Sequence, residues 1–178
     1  MKVFFCSDIH GSLYYAKKAF EAFIKEQADS MVILGDLYYH GPRNPFPKDY
    51  NPMELSKLIN DNKSFITIIK GNCDSEVDEM ITDIPFNAEL LLLINGKKVM
   101  CQHGHRYNID NIPNGCDMLI YGHFHTGFIT EKNGVIVANA GSTSLPKENT
   151  AHSYLVMDDE CLTLKSLDGE IIKNMYFK

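Results

Sequence analysis

No stretch of the sequence approaches the ~18 consecutive apolar residues that a membrane span requires. The opening MKVFFCSDIHG carries an apolar run too short for a signal peptide, with an acid directly after it. No membrane partner is expected. Clustered Lys and Arg are also missing: 17 basic against 23 acidic residues leave a formal net charge of −6. That balance argues against a long nucleic acid as partner. A small anionic substrate stays open, because bound metal ions can reverse the field locally. No two of the five cysteines (Cys6, Cys73, Cys101, Cys116, Cys161) are spaced as C-x-x-C, and an odd number does not suit a disulfide framework. The simple expectation is a reduced, cytoplasmic protein with most thiols serving as small core residues. Low-complexity tracts, internal repeats and linkers of domain-boundary length are absent. Residues 1–178 are therefore read as a single domain, able to bury roughly 70% of its unfolded surface.

What is present falls into two textures. In the first half, KVFFC (2–6), MVILG (31–35) and FITII (65–69) read as short buried strands. Between them, residues 13–28 place Leu13, Ala16, Ala19, Phe20, Phe23 and Ile24 on one helical face, with Ser12 as N-cap. Residues 53–61 form a second, shorter helix after a proline-rich surface loop at 41–52. Strand alternating with helix implies a parallel sheet built from right-handed crossovers. Beyond about residue 87 the chain is β-rich, with Asn95-Gly96 and Asn133-Gly134 each marking a hairpin. The sum is α/β in class, a mixed sheet or two packed sheets covered by helices.

Polar residues gather where these strands end. KVFFC runs into SDIHG with Asp8 and His10, MVIL into GD with Asp36, and FITII through Lys70 into GNCD with Asn72. KKVMC runs into QHGH with His103 and His105, and DMLIY into GHFH with His123 and His125. Carboxyl ends of strands are where open α/β sheets bind ligands. Each piece alone has a plainer reading: Gly35-Asp36 and Gly71-Asn72 as turns, His103 as a satisfied core histidine. All five, in chain order after apolar strands, point to one pocket. Two carboxylates, four imidazoles and an amide suit Mn²⁺, Fe²⁺, Zn²⁺ or Ni²⁺ better than a soft thiolate site does. They exceed the needs of one tetrahedral ion and suit two ions sharing a bridging carboxylate. Asp74, Glu76, Asp78 and Glu79 read as acids favouring a helix N-terminus.

The ordered set SDIHG, GD, GNCD, HGH and GHFH resembles the calcineurin-like metallophosphoesterase superfamily, most closely its small YfcE-type phosphodiesterase branch. The resemblance extends through HGPRNP (40–45) and the SLPK segment (144–147) and covers essentially the whole chain. It implies a four-layer α/β/β/α sandwich with a di-metal site between the sheets. On that pattern Asp8, His10, Asp36 and His125 hold one divalent ion, and Asp36, Asn72, His103 and His123 hold the second, with Asp36 as bridge. Manganese is the leading expectation, with nickel, zinc or iron as alternatives. The implied reaction is hydrolysis of a small phosphodiester by attack of a metal-bound hydroxide at a di-metal centre. Phe124 and Ala140 depart from the usual threonine and proline at non-ligand positions.

Cys73 stands where much of the superfamily has a histidine acid, and a thiol donates hydrogen bonds weakly. His105 and His40 are candidates to touch substrate, or else loop histidines in water. Arg43 is a candidate phosphate clamp, given its forked donors, or a solvated loop arginine. His152 is expected at the surface. Two other functions share the motifs: a phosphomonoesterase, and a binding scaffold like the retromer subunit of this fold. The family also forms dimers and tetramers, so a homo-oligomer is a further expectation.

Overall fold

The computed structural model describes residues 1–177. Strand β1 (Val3–Cys6) is apolar at every position because both of its faces are covered. Its alternation sends Phe4 and Cys6 to one core and Val3 and Phe5 to another. Helix α1 (Leu13–Glu26) follows, its first turn capped by Ser12, whose Oγ accepts from the Tyr15 N–H at 3.2 Å. Then come β2 (Ser30–Ile33), α2 (Pro52–Asp61) with Asn51 as N-cap, and one 3₁₀ turn at Lys63–Phe65. β3 (Ile66–Ile69), the short α3 (Glu76–Met80) and the two-residue β4 (Phe86–Asn87) complete the first half.

The second half supplies β5 (Leu90–Ile94), β6 (Lys97–Cys101), β7 (Met118–Tyr121), β8 (Phe128–Lys132) and β9 (Val135–Asn139). It ends with β10 (Ser153–Met157), β11 (Cys161–Ser166) and β12 (Ile171–Tyr176). Both Asn-Gly pairs turn hairpins, with all four residues at positive φ, as a two-residue primed turn demands.

The strands form two mixed sheets. One runs β12-β11-β10-β1-β2-β3-β4, with β1 to β4 parallel, and the other runs β5-β6-β7-β9-β8. The sheets face each other across a core that includes Phe5, Val32, Ile69, Val99, Ile120 and Leu155. On the outer side of the first sheet, α1 and α2 bury Phe20, Phe23, Leu55 and Ile59 against Phe4 and Ile33. This is the expected α/β sandwich. Its fourth layer contains no helix among the described residues: the irregular segment 104–117 lays Ile109 and Ile112 over Leu119, Tyr121 and Val137. The Ile109 N–H donates to Tyr121 Oη at 3.2 Å, which pins that cover to the sheet.

Two side chains differ from expectation. Ile24 lies at the margin of the α1 apolar stripe, in the last turn before Gln27 closes the helix at positive φ, and it is 71% exposed. His152 is half-buried, not a surface residue. Its ring stacks on Tyr15 at 4.1 Å, and its Nδ1 lies 3.0 Å from the Thr143 carbonyl.

Candidate metal centre

The loops that follow β1 and β2 run side by side. The Asp8 N–H donates to the Gly35 carbonyl at 3.0 Å, His10 to Asp36 at 2.9 Å and Gly11 to Leu37 at 2.8 Å. This short ladder fixes the Asp8–His10 segment against Asp36. The loops must then bend sharply to aim their side chains inward, and Asp8, His10, Asp36, His123 and His125 all have φ between 49° and 66°. Asp and His tolerate this left-handed region better than most residues, at a cost of about 1 kcal/mol or more each. Two glycines permit the close approach. A Cβ on Gly71 would collide with Asp36 Oδ1, and one on Gly122 would collide with Ser7 Oγ and sit 2.6 Å from Asp8 Oδ2.

Three imidazoles are oriented from behind. The Nδ1 atoms of His10, His125 and His103 lie 2.6, 2.6 and 2.7 Å from the carbonyls of Tyr39, Leu145 and Leu34. A carbonyl only accepts, so each Nδ1 carries a proton and each Nε2 is directed into the site. His10 Nε2 and His125 Nε2 meet at 3.1 Å, and Asp8 Oδ1 lies 3.7 and 3.3 Å from them. Asp8 Oδ1 is buried without a hydrogen-bond partner. Asp36 spans the two halves of the site: its Oδ2 is 3.8 Å from His10 Nε2, and its Oδ1 is 3.4 Å from His103 Nε2. Asn72 Oδ1 and His123 Nδ1 approach the same His103 nitrogen at 3.0 and 3.2 Å.

Burial acts to raise both carboxyls, yet their surroundings prevail. His125 and His103 hold Asp8 low, and His103 with the Cys73 N–H holds Asp36 low. Burial opposes charge on His103, but Asp36 and Asp8 raise it to about 9. His10 and His123 are pushed down by burial. Two Nε2 atoms 3.1 Å apart beside a buried carboxylate oxygen with no hydrogen-bond partner form a cluster of lone-pair donors that a cation would draw together. At His103 a proton and a cation compete for one place. The donors therefore fit divalent ions in two groups, Asp8–His10–His125 and Asp36–His103–His123, with Asp36 also grouping with His10 and Cys73.

All seven expected ligands are brought together, and Cys73 lies among them. Its N–H donates to Asp36 Oδ1 at 2.9 Å, while burial and then the Asp36 charge push its thiol up to about 12. Arg43 stands on the lip of a cleft of about 560 Å³ above these residues. His105 is exposed, 5.6 Å from His103 by ring centroid, and faces a neighbouring cavity with Lys70 and Arg106. His40 is not brought to the cleft; its ring packs against Phe46 at 4.4 Å and Tyr50 at 5.4 Å.

Asp74 corrects the sequence reading. It is not an acid at a helix N-terminus but is buried beneath the site. Its Oδ2 accepts from the N–H groups of Asp36 (2.9 Å) and Gly71 (2.7 Å), and its Oδ1 accepts from Leu37 (2.8 Å). Burial lifts its carboxyl to about 6 against the pull of those three donors. Asp78 is the acid that caps α3, accepting from the Ser75 N–H at 2.8 Å. Lys147, which also lines the cleft, was not marked by the sequence as a site residue.

The calcineurin-like phosphoesterase superfamily domain matches residues 1–160. The chain belongs to that superfamily. Phosphodiesterase YfcE of Escherichia coli K12, a superfamily relative, is 36% identical over 175 residues, spanning 97% of this chain and 95% of YfcE. The solved structure of E. coli YfcE, a phosphoesterase, matches with a TM-score of 0.96 at 34% identity, covering 100% of both chains. Vps29 of Entamoeba histolytica, solved with zinc, matches at 18% identity and a TM-score of 0.66, covering 100% of both chains; at that distance only the fold is shared. Superfamily membership implies divalent metal ions, in keeping with the donor groups above.

Proposed function

We propose that the protein is a metal-dependent phosphodiesterase acting on small phosphodiesters. One observation carries the reading: three carbonyl-oriented imidazoles and two buried carboxylates form two donor groups joined by Asp36. Asp8, His10, Asp36 and His125 would hold one ion; Asp36, Asn72, His103 and His123 would hold the other. When bound, such a pair supplies Lewis acidity, lowering the pKa of water and neutralising charge on phosphoryl oxygens. Mn²⁺ is the proposed occupant; the mixed nitrogen and oxygen donors accept Ni²⁺, Zn²⁺ and Fe²⁺ as well, so metal supply and not donor type decides among them. Five free cysteines support a reducing, cytoplasmic setting. A complete donor set argues against a scaffold that has lost its chemistry.

The name of E. coli YfcE supports diesters over monoesters. With Mn²⁺, kcat/KM on bis(p-nitrophenyl) phosphate is expected to exceed that on p-nitrophenyl phosphate. A preference for the monoester across Mn²⁺, Ni²⁺ and Zn²⁺ would overturn the diesterase reading in favour of a phosphatase.

Cys73 is proposed as neither nucleophile nor ligand. Held as a neutral thiol, it stands in for a stronger acid near the leaving oxygen, with the Asn72 amide 3.4 Å from its sulfur. Cys73→Ala should keep both metals, measured by elemental analysis, and most activity on aryl esters. Cys73→His should accelerate esters with basic alkoxide leaving groups by up to about 10²-fold. A uniform collapse of Cys73→Ala with metals retained would show that the sulfur takes part directly.

A further inference from the structure

We propose that Lys147, together with Arg43, forms a rim subsite for a second negative charge, so that the preferred diesters carry a phosphate or carboxylate on their non-leaving arm. This rests on the diesterase reading and names its substrate class.

The rim is built on the two facing histidines. The Tyr39 carbonyl holds His10 Nδ1 at 2.6 Å, and the same loop continues through Gly41 to Arg43. The Leu145 carbonyl holds His125 Nδ1 at 2.6 Å, and two residues later the Lys147 N–H donates to the His125 carbonyl at 3.0 Å. Lys147 is thus stapled to a candidate ligand. The turn beyond it is closed by the Thr150 N–H at 3.0 Å and the Thr150 hydroxyl at 2.8 Å, both donating to the Lys147 carbonyl, with Glu148 and Asn149 at positive φ. The lysine backbone is fixed relative to the centre, unlike that of an ordinary loop lysine.

Neither cation has an anionic partner. Among the described residues Arg43 and Lys147 make no salt bridge or side-chain hydrogen bond, a state they share with surface cations such as Lys17, Lys97 and Arg106; what sets them apart is their place on the cleft. Both line the 560 Å³ cleft with Asn72, His123 and His125. The Asp36 carboxylate also lines this cleft, but its oxygens face His10 and His103 at its floor and not the two rim cations. A simple diester has one negative charge, which belongs to the reacting phosphoryl group at the floor. The rim therefore has charge to spare for a second anion, and its exposure predicts a modest, salt-sensitive gain.

The test compares p-nitrophenyl phosphodiesters that share a leaving group and differ in the other arm: methyl, 2-carboxyethyl or choline. At low salt, kcat/KM is expected to be about five- to tenfold higher for the carboxyethyl than for the methyl ester, mainly through KM, and lowest for the choline ester. Lys147→Met should shrink the carboxyethyl-to-methyl ratio, Lys147→Arg should keep it, and 0.5 M NaCl should erase it. Lys57→Met, on the far face of α2, serves as the charge control. Calorimetric binding of the methyl and 2-carboxyethyl monoesters of phenylphosphonate reads the subsite without turnover. A wild-type ratio near one in both assays, or a ratio unchanged by Lys147→Met, would overturn the subsite. Equal losses on all three esters would reassign Lys147 to the reacting phosphate and overturn it too. Failure to hydrolyse any diester, with phosphonate binding still discriminating the arms, would reject the diesterase reading and leave the subsite supported.

Discussion

Replacing Asp36 with alanine is expected to remove activity by about 10³-fold or more and to leave fewer than one ion per chain. The loss of a single preorganised charge-stabilising group commonly costs 10²–10³-fold, and here the lost group serves both donor sets. Its two oxygens point to different histidines, Oδ2 to His10 and Oδ1 to His103. The substitution leaves His10 Nε2 and His103 Nε2 without the carboxylate that draws a cation between them. Asp8→Ala, by contrast, should empty mainly the group formed with His10 and His125. Elemental analysis after metal loading separates the cases. Two ions still bound to Asp36→Ala would remove the bridging assignment, whatever happened to the rate.

Asp74→Ala should be among the most destabilising single changes in the protein, although Asp74 touches no substrate. Three backbone N–H groups converge on its carboxylate, and alanine offers them nothing in a place where the side chain is only 8% exposed. Each unsatisfied buried donor costs about 1–3 kcal/mol, so about 4 kcal/mol in total is reasonable once local relaxation is allowed. For a domain of this size that lowers Tm by roughly 10 °C. Asp74→Asn keeps one accepting oxygen and should fall between. Metal affinity should drop with stability, because Asp36 and Gly71 lose their shared anchor and Asn72 follows Gly71. Thermal unfolding in chelator isolates the structural part. A Tm within 2–3 °C of wild type would mean that the clamp is dispensable.

The contrast between these residues shows what a sequence discloses. Asp8, His10, Asp36, Asn72, His103, His123 and His125 were legible because each follows an apolar strand, and strands are the most regular signal in this chain. The hairpins were legible because Asn-Gly admits few other conformations. Asp74 was not, since an acid two residues before a short helix looks like a dipole partner, and only the fold shows β2 and β3 delivering three N–H groups to it. Lys147 was hidden in a proline-containing turn that reads as solvated until its hydrogen bonds to His125 are seen. His40 looked polar beside Arg43, but its neighbours Phe46 and Tyr50 come from farther along the loop. The irregular 104–117 cover has no periodicity to read, and a helix in its layer is implied by the family resemblance alone.

The seven donors are divided between two sheets: β1, β2 and β3 of the first lead to Asp8, His10, Asp36 and Asn72, and β6 and β7 of the second lead to His103, His123 and His125. The apolar interface between the sheets sets how far one can slide over the other, together with a few polar bridges at the site itself. Among these, the His123 N–H donates to Asp8 Oδ2 at 2.8 Å and His103 Nδ1 to the Leu34 carbonyl at 2.7 Å. A coordination sphere tolerates displacements of only tenths of an ångström. The molecule therefore behaves like a vernier, in which a small rigid-body offset between the two layers is magnified into a mismatch at their shared end. Trimming a single carbon from the inter-sheet core, as in Ile120→Val, costs about 1 kcal/mol, too little to unfold the chain, and is expected to show first as weaker metal affinity. Side chains with no chemistry of their own thus carry the tolerances of the chemistry.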